Sequence, residues 1–237
     1  MAAKYNNNNL VQLRDLSDKF EKSTPQEILS WAIVNYPTIT MATAFGAEGC
    51  AILSMLSELP GGKDVRIFNL DTGYQFPETI EMRDRIAERY GIDVEFVRPE
   101  ETVEQMQARF GGPIYGTNPD ECCRLRKIEP LKRALSGHEA WITGIRRDQT
   151  PDRAVAEPIE WDSRFGLIKV NPLAHWTRAE VRAYIGINDV IYNPLHDRGY
   201  PSIGCWPCTH QVAETDDERA GRWLSFAKVE CGLHVKP

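Results

Sequence analysis

Four of the six cysteines in this 237-residue chain fall into two tight groups, Cys122-Cys123 and Cys205-x-x-Cys208. Four thiols so grouped form a ligand pattern. Neighbouring side chains on a helix are splayed by about 100°, so an adjacent pair points poorly at one shared ion. Zinc sites usually separate paired cysteines by two to four residues, letting both sulfurs reach one tetrahedral metal. A four-iron four-sulfur (4Fe-4S) cube offers each thiolate its own iron, and an adjacent pair then needs no common focus. The spacing therefore predicts an iron–sulfur cluster ahead of a zinc ion, with four uncomplexed thiols as the remaining reading.

Two thiols stand apart. Cys50 sits in the apolar run Cys50-Ala51-Ile52-Leu53 and reads as a buried, inert residue. Cys231 lies near the carboxyl end beside Gly232, with Lys228 one helical turn earlier. A nearby cation raises the thiolate fraction that makes cysteine a nucleophile, so Cys231 reads as either an attacking group or a plain thiol. With no partner thiol nearby in sequence, an adduct on it would need an external dithiol for release. His234 is close to Cys231 in sequence; the other histidines have a weaker claim.

Cations crowd the same regions. Arg124, Arg126 and Lys127 follow the first cysteine pair, and Arg219 and Arg222 follow the second. A solvated face explains many such runs. Here they could also offset the negative charge of a thiolate cluster and reach an anionic substrate. Arg146-Arg147 fits phosphate or sulfate recognition, because guanidinium forks match oxyanions.

The elements that must carry these residues alternate between strand and helix. Leu10 to Phe20 has helical apolar spacing, and Thr24-Pro25-Gln26-Glu27 is a capping box that opens a helix to about Tyr36. Strands are predicted over 38–45, 65–70, 92–97 and 140–145, with shorter ones over 154–161 and 167–170. Helices are predicted over 50–56, 77–90 (closed by Gly91), 102–110, from Asn118-Pro119 through the cysteine pair, from Thr177 to about Ile185, and over 216–228. Pro130 should kink or split the helix that carries Cys122 and Cys123. This order predicts an α/β fold with an open, mostly parallel sheet flanked by helices. Ligands of such sheets bind at the carboxyl ends of the strands. Three motif-bearing turns fall there: Phe45-Gly46-Ala47-Glu48, Asp71-Thr72-Gly73 and Arg146-Arg147-Asp148-Gln149. The first, a small-residue turn into a helix, suits an anion.

Length favours one domain over residues 1–237, with a frayed asparagine-rich start over about 1–9 and a mobile tail over about 229–237. A formal charge of −6 argues against nucleic-acid binding by the protein as a whole. No apolar run approaches the ~18 residues of a membrane span. Six cysteines without a secretory signal point to the reducing cytoplasm. The oligomeric state stays open, a homo-oligomer included.

These residues together resemble a known family. The two cysteine pairs, the ending Glu230-Cys231-Gly232-Leu233-His234 and the three turns are similar to assimilatory adenylyl-sulfate (APS) reductase, a thioredoxin-dependent iron–sulfur enzyme. Tyr192-Asn193-Pro194-Leu195-His196-Asp197-Arg198-Gly199-Tyr200 and Arg219-Ala220-Gly221-Arg222-Trp223 match it too, so the resemblance covers roughly 40–234. It implies an adenine-nucleotide alpha-hydrolase-like fold with a modified pyrophosphatase loop. By motif, Cys122, Cys123, Cys205 and Cys208 would hold a 4Fe-4S cluster and Cys231 would be the nucleophile. Lys127 would lie between cluster and substrate. Arg219 and Arg222 would face the phosphosulfate, while Arg146, Arg147 and the turn at Phe45-Gly46 hold the phosphate side. Asp71, Thr72 and Gly73 would border the adenosine. The implied partner is thioredoxin or a glutaredoxin-like dithiol, and the product is sulfite.

The chain departs from the family's pattern in three places. Ala44 stands where serine is common, Gly49 where aspartate is common, and His210 where arginine is common. Thr43 offers a substitute hydroxyl for the first. Three rival functions remain: reduction of the 3′-phosphorylated substrate (PAPS), alone or with APS, an ATP-dependent ligase or sulfurylase of the same fold, and a zinc-stapled nucleotide-binding module without catalysis.

Overall fold

The computed structural model describes residues 9–213, 217–226, 228, 230 and 232–233. Six strands form one sheet in the order β3-β2-β1-β4-β6-β5. β1 (Ile39–Ala42), β2 (Arg66–Leu70), β3 (Val94–Val97), β4 (Ala140–Ile142) and β6 (Leu167–Val170) run parallel to their neighbours. β5 (Ile159–Asp162) is the antiparallel edge, paired with β6. The mostly parallel α/β sheet expected from the sequence is therefore present. β1 and β4 are shorter than predicted, because the chain leaves the ladder at Thr43 and Thr143 to form ligand-side turns. The strand expected over 154–161 begins only at Ile159, because the 3₁₀ turn at Pro151–Arg153 runs on as turn and irregular chain through residue 158.

Helices α1 (Leu10–Phe20), α2 (Pro25–Asn35), α3 (Ala47–Glu58), α4 (Pro77–Tyr90), α5 (Val103–Phe110) and α8 (Arg178–Ile187) surround the sheet. The predicted capping boxes at Thr24 and Thr177 form, each with its Glu returning a bond to the cap backbone. α4 begins at Pro77 and closes on left-handed Gly91, as its sequence predicts. α3 is apolar almost all round, with Cys50 through Leu56 buried, because it packs between sheet and neighbouring helices.

Two segments differ from expectation. Pro130 neither splits nor stops the cysteine-bearing helix. α6 (Pro119–Cys123) passes into a π-helical turn, Arg124–Ile128, and on into α7 (Glu129–Leu135). The Glu129 N–H bonds the Arg124 carbonyl five residues back. A widened turn absorbs the N–H that proline lacks and relieves its ring clash. Over 216–228 the described residues 217–226 form turns, plus one bridge between Arg222 and Thr209, and no helix. Arg222 is drawn out of any helix by bonds to loop atoms described below.

The main core lies between β1, β2 and helices α2, α3 and α4. A smaller cluster of Phe68, Leu131, Trp141 and Leu167 fills the opposite face. From β1 the chain adds β2 and β3 on one side, then returns to lay β4 on the other. The β1/β4 junction is thus the point where connections diverge, and a crevice opens above it.

Candidate active site

A cavity of about 220 Å³ occupies this crevice. Its floor is the Thr43–Gly46 turn after β1. Phe45 there has φ 55°, a left-handed conformation that a bulky residue rarely adopts, and its ring is fully buried in the core. That anchoring turns the chain sharply into α3. Phe45 therefore holds the turn's shape and does not line the cavity, whereas Thr43 and Gly46 do. Thr43 Oγ1 accepts the Phe45 N–H at 3.0 Å. A side-chain carbon at Gly49 would meet that oxygen at 2.6 Å. The threonine hydroxyl thus fills the space that Gly49 leaves.

The wall above is polar. Thr72, Lys127, Arg153, Arg219 and Arg222 all line the cavity, with Glu48 and Glu218 opposite. Asn69, fully buried on β2, donates to the Thr43 carbonyl at 2.8 Å and ties the two strand ends together. His196 accepts the Ala47 N–H through Nε2 (3.1 Å), while Nδ1 lies 2.9 Å from the Tyr200 carbonyl. That pairing puts the proton on Nδ1. Burial holds the imidazole's pKa below its ordinary value, opposed by the nearby Glu48 carboxylate. A neutral histidine can so sit against a helix N-terminus without repelling it.

Arg146 and Arg147 take other work. Arg146 is fully buried and binds Glu48 (2.9 Å), Asp148 and Glu218 (2.9 and 3.0 Å). Those carboxylates hold its pKa up against the burial that would lower it. Burial in turn raises the pKa of Glu218. Arg147 clasps Glu21, the residue just after α1, and the Ala156 carbonyl. Neither lines the cavity; they brace its rim. Asp71 accepts from Gly73 N–H and Arg98, and Gly73 is exposed in the same turn, so of this trio only Thr72 reaches the cavity.

The four grouped thiols meet at the next station. Cys122, Cys123, Cys205 and Cys208 line one small cleft together with Tyr74, Tyr115, Arg126 and Lys127. Burial, reinforced by the other three sulfurs, pushes the Cys122 thiol up to about 12, and burial raises Cys208 as well. Thr72 Oγ1 stands 3.2 Å from the Cys205 sulfur. The π-helical turn sends Arg126 inward, where it donates to the carbonyls of Thr72 (2.6 Å) and Glu101 (2.8 Å). Lys127 lines both the cleft and the main cavity. Among the described residues, no three His, Cys, Asp or Glu side chains converge as ligands of a single ion.

Arg222 donates to the Cys208 carbonyl (3.2 Å) and Ser202 Oγ (3.3 Å), and stacks on the Trp223 ring at 4.4 Å. It lies against Gly204, where an added side-chain carbon would sit 2.2 Å from its guanidinium. Cys50 is fully buried, with its thiol pushed up to about 12 by burial, as an inert residue should be. His210 is exposed. Cys231 and His234 lie outside the described residues. Their neighbour Glu230 is buried and paired with Arg153 and Arg219.

Sequence reasoning missed Glu48, Gln149, Arg153, His196 and Glu218. Arg153 lies only four residues beyond the Arg146–Gln149 motif, and His196 lies inside a matched stretch. Their proximity to strand-end turns was the available signal.

A sheet with this switch point and a cation-rich cavity above it defines a nucleotide-handling α/β protein with an anionic ligand. The family model for the phosphoadenosine phosphosulfate reductase domain matches residues 38–211. The chain is 45% identical over 227 residues to the phosphoadenosine 5′-phosphosulfate reductase of Gloeobacter violaceus, covering 94% of this chain and 93% of that one. It is 45% identical over 210 residues to adenosine 5′-phosphosulfate reductase 2 of Bacillus subtilis, covering 88% of each. The crystal structure of phosphoadenylyl-sulfate reductase from Candida auris, a phosphate complex, superposes with a TM-score of 0.74 at 34% identity, over 84% of this chain and 96% of that one. The FMN adenylyltransferase of Candida glabrata shares the fold (TM-score 0.57, 16% identity, 87% and 67% covered). The chain belongs to the APS/PAPS reductase family.

Proposed function

We propose that the protein reduces adenylyl sulfate to sulfite and AMP in sulfate assimilation, in the cytoplasm, through a cysteine S-sulfonate and at the expense of a dithiol such as thioredoxin. The observation that carries this reading is the position of Lys127 between the four-thiol cleft and the cation-lined cavity. Several relatives at 42–45% identity are named as adenosine 5′-phosphosulfate reductases, in Bacillus subtilis and Salinibacter ruber among others.

The adenosine would lie along the strand ends near Thr72, with the phosphosulfate toward Lys127, Arg219 and Arg222. The Cys231 thiolate attacks the sulfur of adenylyl sulfate. The S–O bond to the phosphate breaks, and AMP leaves with the electron pair, its charge met by the surrounding cations. One thiolate of the dithiol then attacks the Cys231 sulfur and sulfite departs. The second thiol resolves the mixed disulfide, so two electrons come from the dithiol and Cys231 is restored. The tail that carries Cys231 closes for the first step and opens for the second.

The donor set suits a 4Fe-4S group on Cys122, Cys123, Cys205 and Cys208: four thiols line one cleft beside the cations Arg126 and Lys127. When bound, that group supplies fixed charge and a covalent staple between the π-helical segment and the 205–208 turn.

A second reading, use of the 3′-phosphorylated substrate, is favoured by the Gloeobacter relative's name. One experiment decides between them: sulfite release from each activated sulfate, with and without thioredoxin, by anaerobically purified protein. Faster release from adenylyl sulfate, dependent on thioredoxin and lost in Cys231→Ser, is the expected result. Faster release from the 3′-phosphorylated form would replace the proposal. A colourless protein with zinc and no iron would remove the cluster assignment.

A further inference from the structure

Glu230 immediately precedes Cys231, and its carboxylate is among the most firmly held at the site. Arg153 grips it with two bonds, Nε to Oε1 at 2.8 Å and Nη2 to Oε2 at 2.9 Å. Arg219 adds a third at 3.1 Å, and the Thr150 hydroxyl approaches at 3.4 Å. Glu230 is 7% exposed and Arg153 8%. Both arginines line the main cavity. On the other side of Cys231, the Gly232 carbonyl accepts from Arg164 in the β5–β6 turn, and Leu233 packs on the Phe68, Leu131 and Trp141 cluster. The residues flanking Cys231 are therefore fastened to two different walls of the crevice.

We propose that Glu230 is a positioning residue: its ion pairs with Arg153 and Arg219 seat the tail over the cavity and set the direction from which the thiol attacks. This rests on the assignment of Cys231 as nucleophile. A bidentate guanidinium–carboxylate pair fixes both distance and plane, which a single bond to a flexible lysine would not. Near-attack geometry tolerates little error, so a loosened tail lowers rate far more than binding. Two guanidiniums against one carboxylate leave one positive charge over for the substrate's anionic group. Arg153 is braced in turn by Gln149 Oε1 at 2.5 Å, and Gln149 bonds Glu48 at 3.2 Å. The seat is thus built into the same network that surrounds Arg146.

The test uses the full-length protein loaded with its metal. Single-turnover formation of the S-sulfonate on the tail peptide is followed by mass spectrometry after mixing with adenylyl sulfate without reductant. AMP affinity is measured by calorimetry. Glu230→Gln should slow adduct formation at least tenfold while leaving the AMP Kd within twofold and speeding hydrogen exchange in the tail. Glu230→Asp should recover part of the rate, which separates carboxylate positioning from failure to fold. Adduct formation at the wild-type rate in Glu230→Gln overturns the proposal alone. So does a tenfold change in AMP affinity, which would make Glu230 a competitor of the substrate if tighter and a structural strut if weaker. Absence of any tail adduct in the wild-type protein would instead remove Cys231 as nucleophile, and this proposal with it.

Discussion

The Thr72 hydroxyl lies 3.2 Å from the sulfur of Cys205, linking the turn after β2 to the four-thiol cleft across 133 residues of sequence. The same residue lines the main cavity, and its carbonyl receives the Arg126 guanidinium. One side chain therefore touches both compartments. Thr72→Val keeps the shape and removes the hydroxyl, which also accepts the Tyr74 N–H at 3.2 Å, at a cost of about 1 kcal/mol for each lost bond. On the proposed substrate and cluster assignments, the expected outcome is roughly fivefold weaker AMP binding together with faster loss of iron to a chelator. Movement of one quantity without the other would show that the two compartments are independent.

Removing Arg146 should be costly. Three carboxylates, Glu48, Asp148 and Glu218, converge on its fully buried guanidinium. Arg146→Ala leaves them facing one another with only Arg178, 3.7 Å from Glu218, as counter-charge, for an expected loss of about 3–5 kcal/mol. Urea unfolding would measure it. A loss below 1 kcal/mol would mean that the carboxylates can protonate or move apart.

Gly49 and Thr43 should behave as a coupled pair. Gly49→Asp drives a side chain into Thr43 Oγ1 and is expected to cost about 1–3 kcal/mol. Adding Thr43→Ala should restore part of that loss, although the alanine alone removes the bond to the Phe45 N–H. A double-mutant cycle with no coupling energy would contradict the overlap.

His196 makes stability depend on pH. Its folded pKa is held below the ordinary histidine value by burial. The unfolded chain therefore binds more protons as pH falls below about 6.5, so the contribution is full above that point and is lost as pH falls through the folded value. Melting temperatures between pH 8 and pH 5 should drop more steeply for the wild type than for His196→Gln. Parallel curves would dismiss the effect.

Cys50 should resist alkylation in the native protein. With its thiol at about 12, only about one part in ten thousand is thiolate at pH 8. Iodoacetamide should label it only after unfolding. Rapid native labelling would mean that the α3 region opens readily.

Much of the architecture was legible because each signal was local. Thr24 and Thr177 announce their helices through a hydroxyl and a glutamate three residues on, and α4 is bounded by Pro77 and Gly91. The cysteine spacing likewise identified the cleft. What could not be read was set by partners remote in sequence. Arg146 looked like an anion fork, but Glu48 and Glu218 lie 98 and 72 residues away and claim it. Arg153 carried no motif of its own and gains its place through Glu230, 77 residues on, with Gln149 as a second brace. The antiparallel edge strand β5 is indistinguishable from a parallel one by alternation alone, since pairing direction depends on the connection.

The π-helical turn has an evolutionary reading. Such a turn is equivalent to one inserted residue in an ordinary helix. Deleting a single residue from 124–128 would restore regular winding and leave the flanking segments nearly in phase, because the five residues of the wide turn sweep about the angle of four ordinary ones. Leu131, Ala134 and Leu135 would stay seated on the sheet, and Cys122 and Cys123 would still face Cys205 and Cys208. What the surplus residue shapes is the turn itself, where Arg126 is carried inward to the carbonyls of Thr72 and Glu101 while its neighbour Lys127 lines both compartments.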